Sequence, residues 1–219
     1  MTRMSGTAEA RRLPITTTSE QARTRFERGR AAAHHYRFTV ARDEFDAALA
    51  LDATFVLALL HRGGSAEDPA ESRRFIEAAE ASRAHASAAE GRMIGAFRAF
   101  LLDRDYDLAV EIFRELSAAH PGDPYLTSYL GLRYYRNLQR YDEAAAQFRE
   151  ALVRDPSFVQ AYHWLGCIAL DQGDLDAAKS LFERYAALAP EEPRPHDDLG
   201  ILYLRQGRLD EAARSFERA

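Results

Sequence analysis

One pattern is written three times in succession between Pro124 and Ala219, and it limits the possible folds more than any other feature of the chain. The first copy has Leu130-Gly131, Ala144, Phe148, Ala151 and Pro156, and the second has Leu165-Gly166, Gly173, Ala178, Phe182 and Pro190. The third has Leu199-Gly200, Tyr203, Gly207, Ala212, Phe216 and Ala219. Ala144, Ala178 and Ala212 are spaced by 34 residues, as are Phe148, Phe182 and Phe216. A fixed period of that length belongs to units that each leave an apolar face for the next to cover, so an array of two-helix units is expected rather than a closed globule.

Within each unit an apolar pattern of helical period breaks at Gly173 or Gly207 and resumes as a second helix that ends at proline. Small residues at Gly131, Gly166 and Gly200 and at Ala144, Ala178 and Ala212 stand where two antiparallel helices come closest. These residues resemble the tetratricopeptide repeat, whose pattern is Leu-Gly, an aromatic, Gly, Ala, Phe, Ala and Pro at these offsets. Two departures stand out: Tyr185 replaces the last small residue of the second copy, and the first copy carries one extra residue around Asn137-Leu138. The resemblance implies an all-α fold, a right-handed superhelical array of antiparallel helix pairs.

Earlier copies can be traced. Residues 1–18 are polar, with Pro14 and Thr16-Thr17-Thr18, and are expected to form a flexible N-terminal tail, after which Thr18 or Ser19 caps a helix. A single array is expected over 19–219, with units at about 22–55, 56–86, 87–123, 124–158, 159–192 and an incomplete 193–219. Gly29, Ala41, Phe45 and Ala48 mark the first unit. The second is degenerate: a helix starting at Val56 is expected to be cut short by Gly63-Gly64-Ser65, with a return helix from Glu71 to Arg83. Ser87-Ala88-Ala89-Glu90 reads as a capping box that opens the third, and Asp103-Arg104-Asp105 as its turn.

Composition bounds the function. A net charge of −5 and a pI near 5.8 oppose general nucleic-acid binding, which needs a basic surface. Cys167 is the only cysteine, so the fold needs no intrachain disulfide and no oxidising compartment. No signal peptide is visible and no run of apolar residues is long enough to cross a membrane, so a cytoplasmic location without membrane contact is expected. Lys179 is the only lysine; arginine carries the remaining positive charge, and with the many alanines this composition fits a GC-rich bacterial gene.

The resemblance also implies a concave groove lined by the first helix of each pair, with a protein or peptide segment as the partner. Carried over residue by residue, its lining includes Tyr125, Tyr129, Tyr135, Arg136, His163, Trp164, Asp197 and Asp198. Tyr and Trp give large contact area at low entropic cost, so Tyr129, Tyr135, His163 and Trp164 form the centre of the candidate site, unless their rings pack on neighbouring helices instead. The lysine and asparagine pairs by which some arrays clamp a C-terminal carboxylate are missing: Ser128, Leu132, Tyr129, Gln160, His163 and Trp164 stand in those places.

His163 and Cys167 lie four apart on one helix, a spacing open to two metal ligands with Asp197 or Asp198 as a third, but a pair is too few for a structural zinc site and packing is the better account. No phosphate loop, nucleophile elbow, dinucleotide fingerprint or His-Glu-x-x-His motif occurs, so neither enzyme activity nor a cofactor is expected. The expected function is a non-catalytic interaction module or scaffold; the alternative is the repeat arm of a larger signalling or transcription-regulating enzyme. The last unit stops at Ala219, a turn short of its counterparts, so either a longer natural protein or self-association of two chains through this end is expected.

Overall fold

The computed structural model describes residues 12–219. Among them are twelve α-helices and no strand. None of these helices is long and apolar enough to cross a membrane. The chain divides into two compact units after Leu126.

The first unit holds three helix pairs: α1 (Glu20–His34) with α2 (Phe38–Leu51), α3 (Val56–Gly64) with α4 (Pro69–Ala81), and α5 (Ala88–Arg98) with α6 (Tyr106–Ala119). Local chemistry sets their starts. Ser19 accepts from the Ala22 N–H at the head of α1, Asp68 accepts from Glu71 with Pro69 in the first turn of α4, and Asp105 accepts from Leu108 at α6. The expected capping box is present at α5, where Ser87 and Glu90 satisfy each other's backbone N–H groups. Phe26, Phe45 and Phe55 fill the core, with ring centroids 5.1 and 5.9 Å from Phe26.

One expectation holds and one is corrected here. α3 stops at Gly64 after nine residues, as expected; Gly63 and Gly64 form its last turn, where a Cβ on Gly63 would lie 3.1 Å from that of Phe75, so they also permit close approach to α4. The return helix runs Pro69–Ala81 rather than from Glu71 to Arg83, because proline suits a first turn. Residues 1–11 of the expected tail lie outside the described residues, but 12–18 are tied down. Leu13 is buried and its N–H donates to Asp123 (3.3 Å), the Thr16 N–H donates to Glu90 (2.7 Å), and the Thr17 hydroxyl donates to Asp52 (2.6 Å). Polar composition suggested flexibility there, but a strap held by carboxylates needs neither a helix nor a core of its own.

α7 (Pro124–Leu132) contains the division, and the second unit continues through α8 (Tyr141–Arg154), α9 (Val159–Asp171), α10 (Leu175–Leu188), α11 (Pro193–Arg205) and α12 (Leu209–Phe216). The repeated glycines face the repeated phenylalanines: a Cβ on Gly131, Gly166 or Gly200 would lie 2.9, 2.3 or 2.5 Å from Phe148, Phe182 or Phe216. This is the close approach the period encodes.

The extra residue of the first strong copy is absorbed as a π-helical turn, Arg133–Asn137, after α7. The Arg140 N–H consequently reaches back six residues to the Tyr134 carbonyl (2.8 Å), whereas Asp174 and Arg208 reach back five, to Ala169 and Tyr203 (2.9 Å each). A second π-helical turn, Ala99–Asp103, does the same after α5. Five of the six turns within helix pairs contain one residue in the left-handed region, Gly173 and Gly207 in two units but Tyr36, Arg104 and Gln139 in others; the turn between α3 and α4 contains none.

Candidate functional site

The first helices of the second unit are bound to one another by a ladder of polar contacts. The Ser128 hydroxyl donates to the Gln160 amide oxygen (2.7 Å, buried), and the Tyr135 hydroxyl donates to the Asp171 carboxylate (2.7 Å). Nδ1 of His163 lies 2.6 Å from Oδ2 of Asp198, and Arg205 donates to the Leu170 carbonyl (3.3 Å). These residues occupy the register expected to line the groove. The neighbouring first helix, not a partner, takes up much of their hydrogen-bonding capacity.

This sorts the candidate residues by burial. His163 is fully buried, Asp198 nearly so, and Trp164 is 8% exposed. The Trp164 indole packs on His163 (4.5 Å between ring centroids), Tyr135 (5.5 Å) and Phe148 (6.4 Å). Packing on neighbouring helices is therefore the role the structure gives His163 and Trp164. Tyr129, Tyr135 and Asp197 are half-buried and Arg136 is exposed, its guanidinium 5.9 Å from the Trp164 ring. Tyr125 belongs to the first unit, where its ring meets His34 edge-on at 4.2 Å and lies 3.9 Å below the Arg30 guanidinium.

Tyr185, the departure from the small-residue pattern, is fully buried with its ring 6.3 Å from His163. Its volume fills the space beside the imidazole. Burial lowers the His163 pKa from its ordinary value and outweighs the opposite pull of Asp198, so the neutral ring meets the carboxylate.

Cys167, His163 and Asp198 place a thiol, an imidazole and a carboxylate together, the residue types of a nucleophilic triad. The geometry does not make one. The sulfur lies 3.7 Å from Nε2 and 3.8 Å from Nδ1, against the ring rather than in line with one lone pair. Burial and then Asp198 push the Cys167 thiol far up, which keeps it protonated. Its position inside α9 also denies it a helix N-terminus.

The same three side chains bring donor atoms within 4.8 Å of one another, enough for three positions of a tetrahedral metal set. Arg194 already stands against two of them, 3.5 Å from His163 Nε2 and 3.3 Å from Asp198 Oδ1. A guanidinium thus stands where the cluster would otherwise attract a cation.

The ladder left one trace in the sequence, polar residues recurring on the groove register 32 to 36 positions apart, but period alone does not say which of them meet. The charged and aromatic face of α1 was missed because groove positions were carried onto the three strong copies only.

Models of the tetratricopeptide repeat match residues 94–157 and 129–193, and a second model of the same repeat matches 169–219. Comparison with curated protein sequences finds no match. Among solved structures, a tetratricopeptide repeat protein from Parabacteroides merdae superposes with a TM-score of 0.57 at 16% identity, covering 91% of this chain and 79% of that one. PilW, a widely conserved type IV pilus biogenesis factor, gives 0.57 at 17% identity, with 90% and 91% covered. The Cut9-Hcn1 hetero-tetramer of the APC/C gives 0.58 at 20% identity over 91% of this chain and 39% of that one. Likeness at these identities establishes the fold, and the repeat models extend over more than half of the sequence: the chain is a tetratricopeptide repeat protein.

Proposed function

We propose that this protein is a non-catalytic interaction module whose second unit takes a protein or peptide segment along its first-helix face, at Tyr129, Tyr135, Arg136 and Asp197. One observation carries the reading: the partly exposed Tyr135 ring is fixed in place, its hydroxyl tied to Asp171 and its face against Trp164, with exposed Arg136 beside it. An aromatic ring and an arginine held in advance of binding lose little entropy when a partner arrives, which is the usual composition of a binding hot spot. Trp164, His163 and Asp198 serve this face from behind, as its support.

The test is affinity capture with the full chain, followed by titration of whatever is captured. Tyr135→Ala with Arg136→Ala should weaken binding by about 1 to 3 kcal/mol for each anchor. Val153→Ala, on the far side of a second helix and 84% exposed, should have no effect. Partners retained by the double variant, or lost equally from Val153→Ala, would place recognition on another surface.

A further inference from the structure

We propose that the first unit carries a separate anion site at Arg30, which takes the side-chain carboxylate of an acidic residue in a partner peptide. The place is the groove register: Arg30 follows Gly29 as Leu132, Cys167 and Ile201 follow Gly131, Gly166 and Gly200.

What marks Arg30 is the absence of an answering charge. Elsewhere in the unit Arg62 meets Asp46 and Glu71, and Arg98 meets Glu80 and Asp103. Among the described residues no carboxylate pairs with Arg30, and its buried Nε has no hydrogen-bond acceptor. Its neighbours are rings: Tyr125 at 3.9 Å and Phe26 at 5.4 Å, with His34 against Tyr125 and His61 against Phe26. Cation–π contact offsets part of the cost of withdrawing a guanidinium from water, but it satisfies none of the N–H donors.

The surrounding imidazoles do not supply the missing anion. Burial and then the Arg30 charge hold His34 well below the ordinary imidazole range and push His61 down to about 3, so both rings are neutral and the guanidinium dominates the local field. With the Tyr125 ring stacked on one face, a ligand must come to the guanidinium edge, where a planar carboxylate can accept two parallel N–H bonds. The occupant is therefore a glutamate- or aspartate-bearing segment. This site is independent of the Tyr135 face.

The probe is fluorescein-labelled hexaglutamate, with hexaglutamine as its uncharged match, read by fluorescence anisotropy on the full chain. Hexaglutamate should bind, and hexaglutamine about tenfold more weakly or not at all. Arg30→Gln should lose about tenfold or more in affinity for hexaglutamate, whereas Arg25→Gln, which replaces an exposed residue of α1 paired with Glu44 of α2, should lose none. Arg30→Lys keeps the charge and serves if Arg30→Gln does not fold; loss of the planar fork should still weaken binding several-fold. The Tyr135→Ala and Arg136→Ala variant should bind hexaglutamate like the parent, which separates this site from the Tyr135 face. The proposal is overturned if hexaglutamate fails to bind, if a folded Arg30 variant binds it unchanged, or if Arg25→Gln is as damaging as Arg30→Gln.

Discussion

Nδ1 of His163 and Oδ2 of Asp198 lie 2.6 Å apart in a place closed to solvent, joining α9 to α11. The Arg194 guanidinium forms an ion pair with the other oxygen of the same carboxylate (3.3 Å), so one buried acid meets an imidazole of α9 and a guanidinium of α11. Asp198→Ala should therefore cost about 1 to 3 kcal/mol, the range for leaving a buried hydrogen-bonding group without its partner. Denaturant unfolding measures this directly. A loss no larger than that of an exposed substitution would show that the ladder between first helices adds little to stability.

Acid should weaken the fold at a pH above the ordinary carboxylate range. Burial lowers the pKa of His34, His61 and His163 in the folded state. The unfolded chain then binds protons that the folded chain excludes, so stability is complete above the ordinary histidine value of about 6.5 and falls as pH drops below it. The melting temperature should decline between about pH 6.5 and 4.5, above the ordinary carboxylate range. His61→Leu should flatten that decline. A curve level through this interval would contradict the buried, neutral placement of these rings.

The glycine and phenylalanine contacts predict a graded series. A methyl group on Gly166 would stand 2.3 Å from Phe182, which is itself buried, while one on Gly131 would stand 2.9 Å from Phe148. Gly166→Ala should cost about 1 to 3 kcal/mol by overpacking, and Gly131→Ala less. Glu183→Ala, whose carboxylate meets Lys179 on an exposed helix surface, should leave the melting temperature unchanged.

Gln139 and Gly173 test the turn backbone without any change in packing. Gln139 has φ 53° where the next unit has Gly173 at φ 82°, and nothing lies within 4 Å of a Cβ built on Gly173. Gln139→Gly should stabilise and Gly173→Ala destabilise, each by about 1 kcal/mol, because only glycine enters the left-handed region without steric cost. Opposite signs in thermal unfolding confirm the shared conformation.

Packing within helix pairs was legible in the sequence where close approach demands particular residues: the small residue at Gly166 and the pairing of Ser87 with Glu90 could be read from spacing, but that Phe182 is the side chain facing Gly166 could not. The second π-helical turn, at Ala99–Asp103, escaped because an inserted residue has no composition of its own. Strap contacts escaped for another reason: Leu13 and Asp123 are far apart in sequence, and no period links them. At the candidate site the Trp164 and Tyr135 rings lie 5.5 Å apart, but whether a ring faces a partner or a neighbouring helix depends on shape. A one-dimensional pattern does not carry that information.

The final helix should be the least stable element of the second unit. Ala212 is its only buried residue, whereas α10 buries Ala178, Phe182 and Tyr185. Leu209 (67% exposed), Leu204 (50%), Ile201 (43%) and Phe216 (39%) remain open to solvent on α11 and α12, so little apolar burial opposes fraying. Amides of Leu209–Phe216 should exchange faster than those of Leu175–Leu188, as measured by hydrogen exchange with mass spectrometry at low protein concentration. If two chains meet through these side chains, protection of α12 should rise with concentration, and Leu204→Glu with Leu209→Glu should abolish the rise while sedimentation shows a single small species. Protection of α12 equal to that of α10 in a monomer would mean that helix propensity and the contact of Phe216 with Gly200 are enough to hold it.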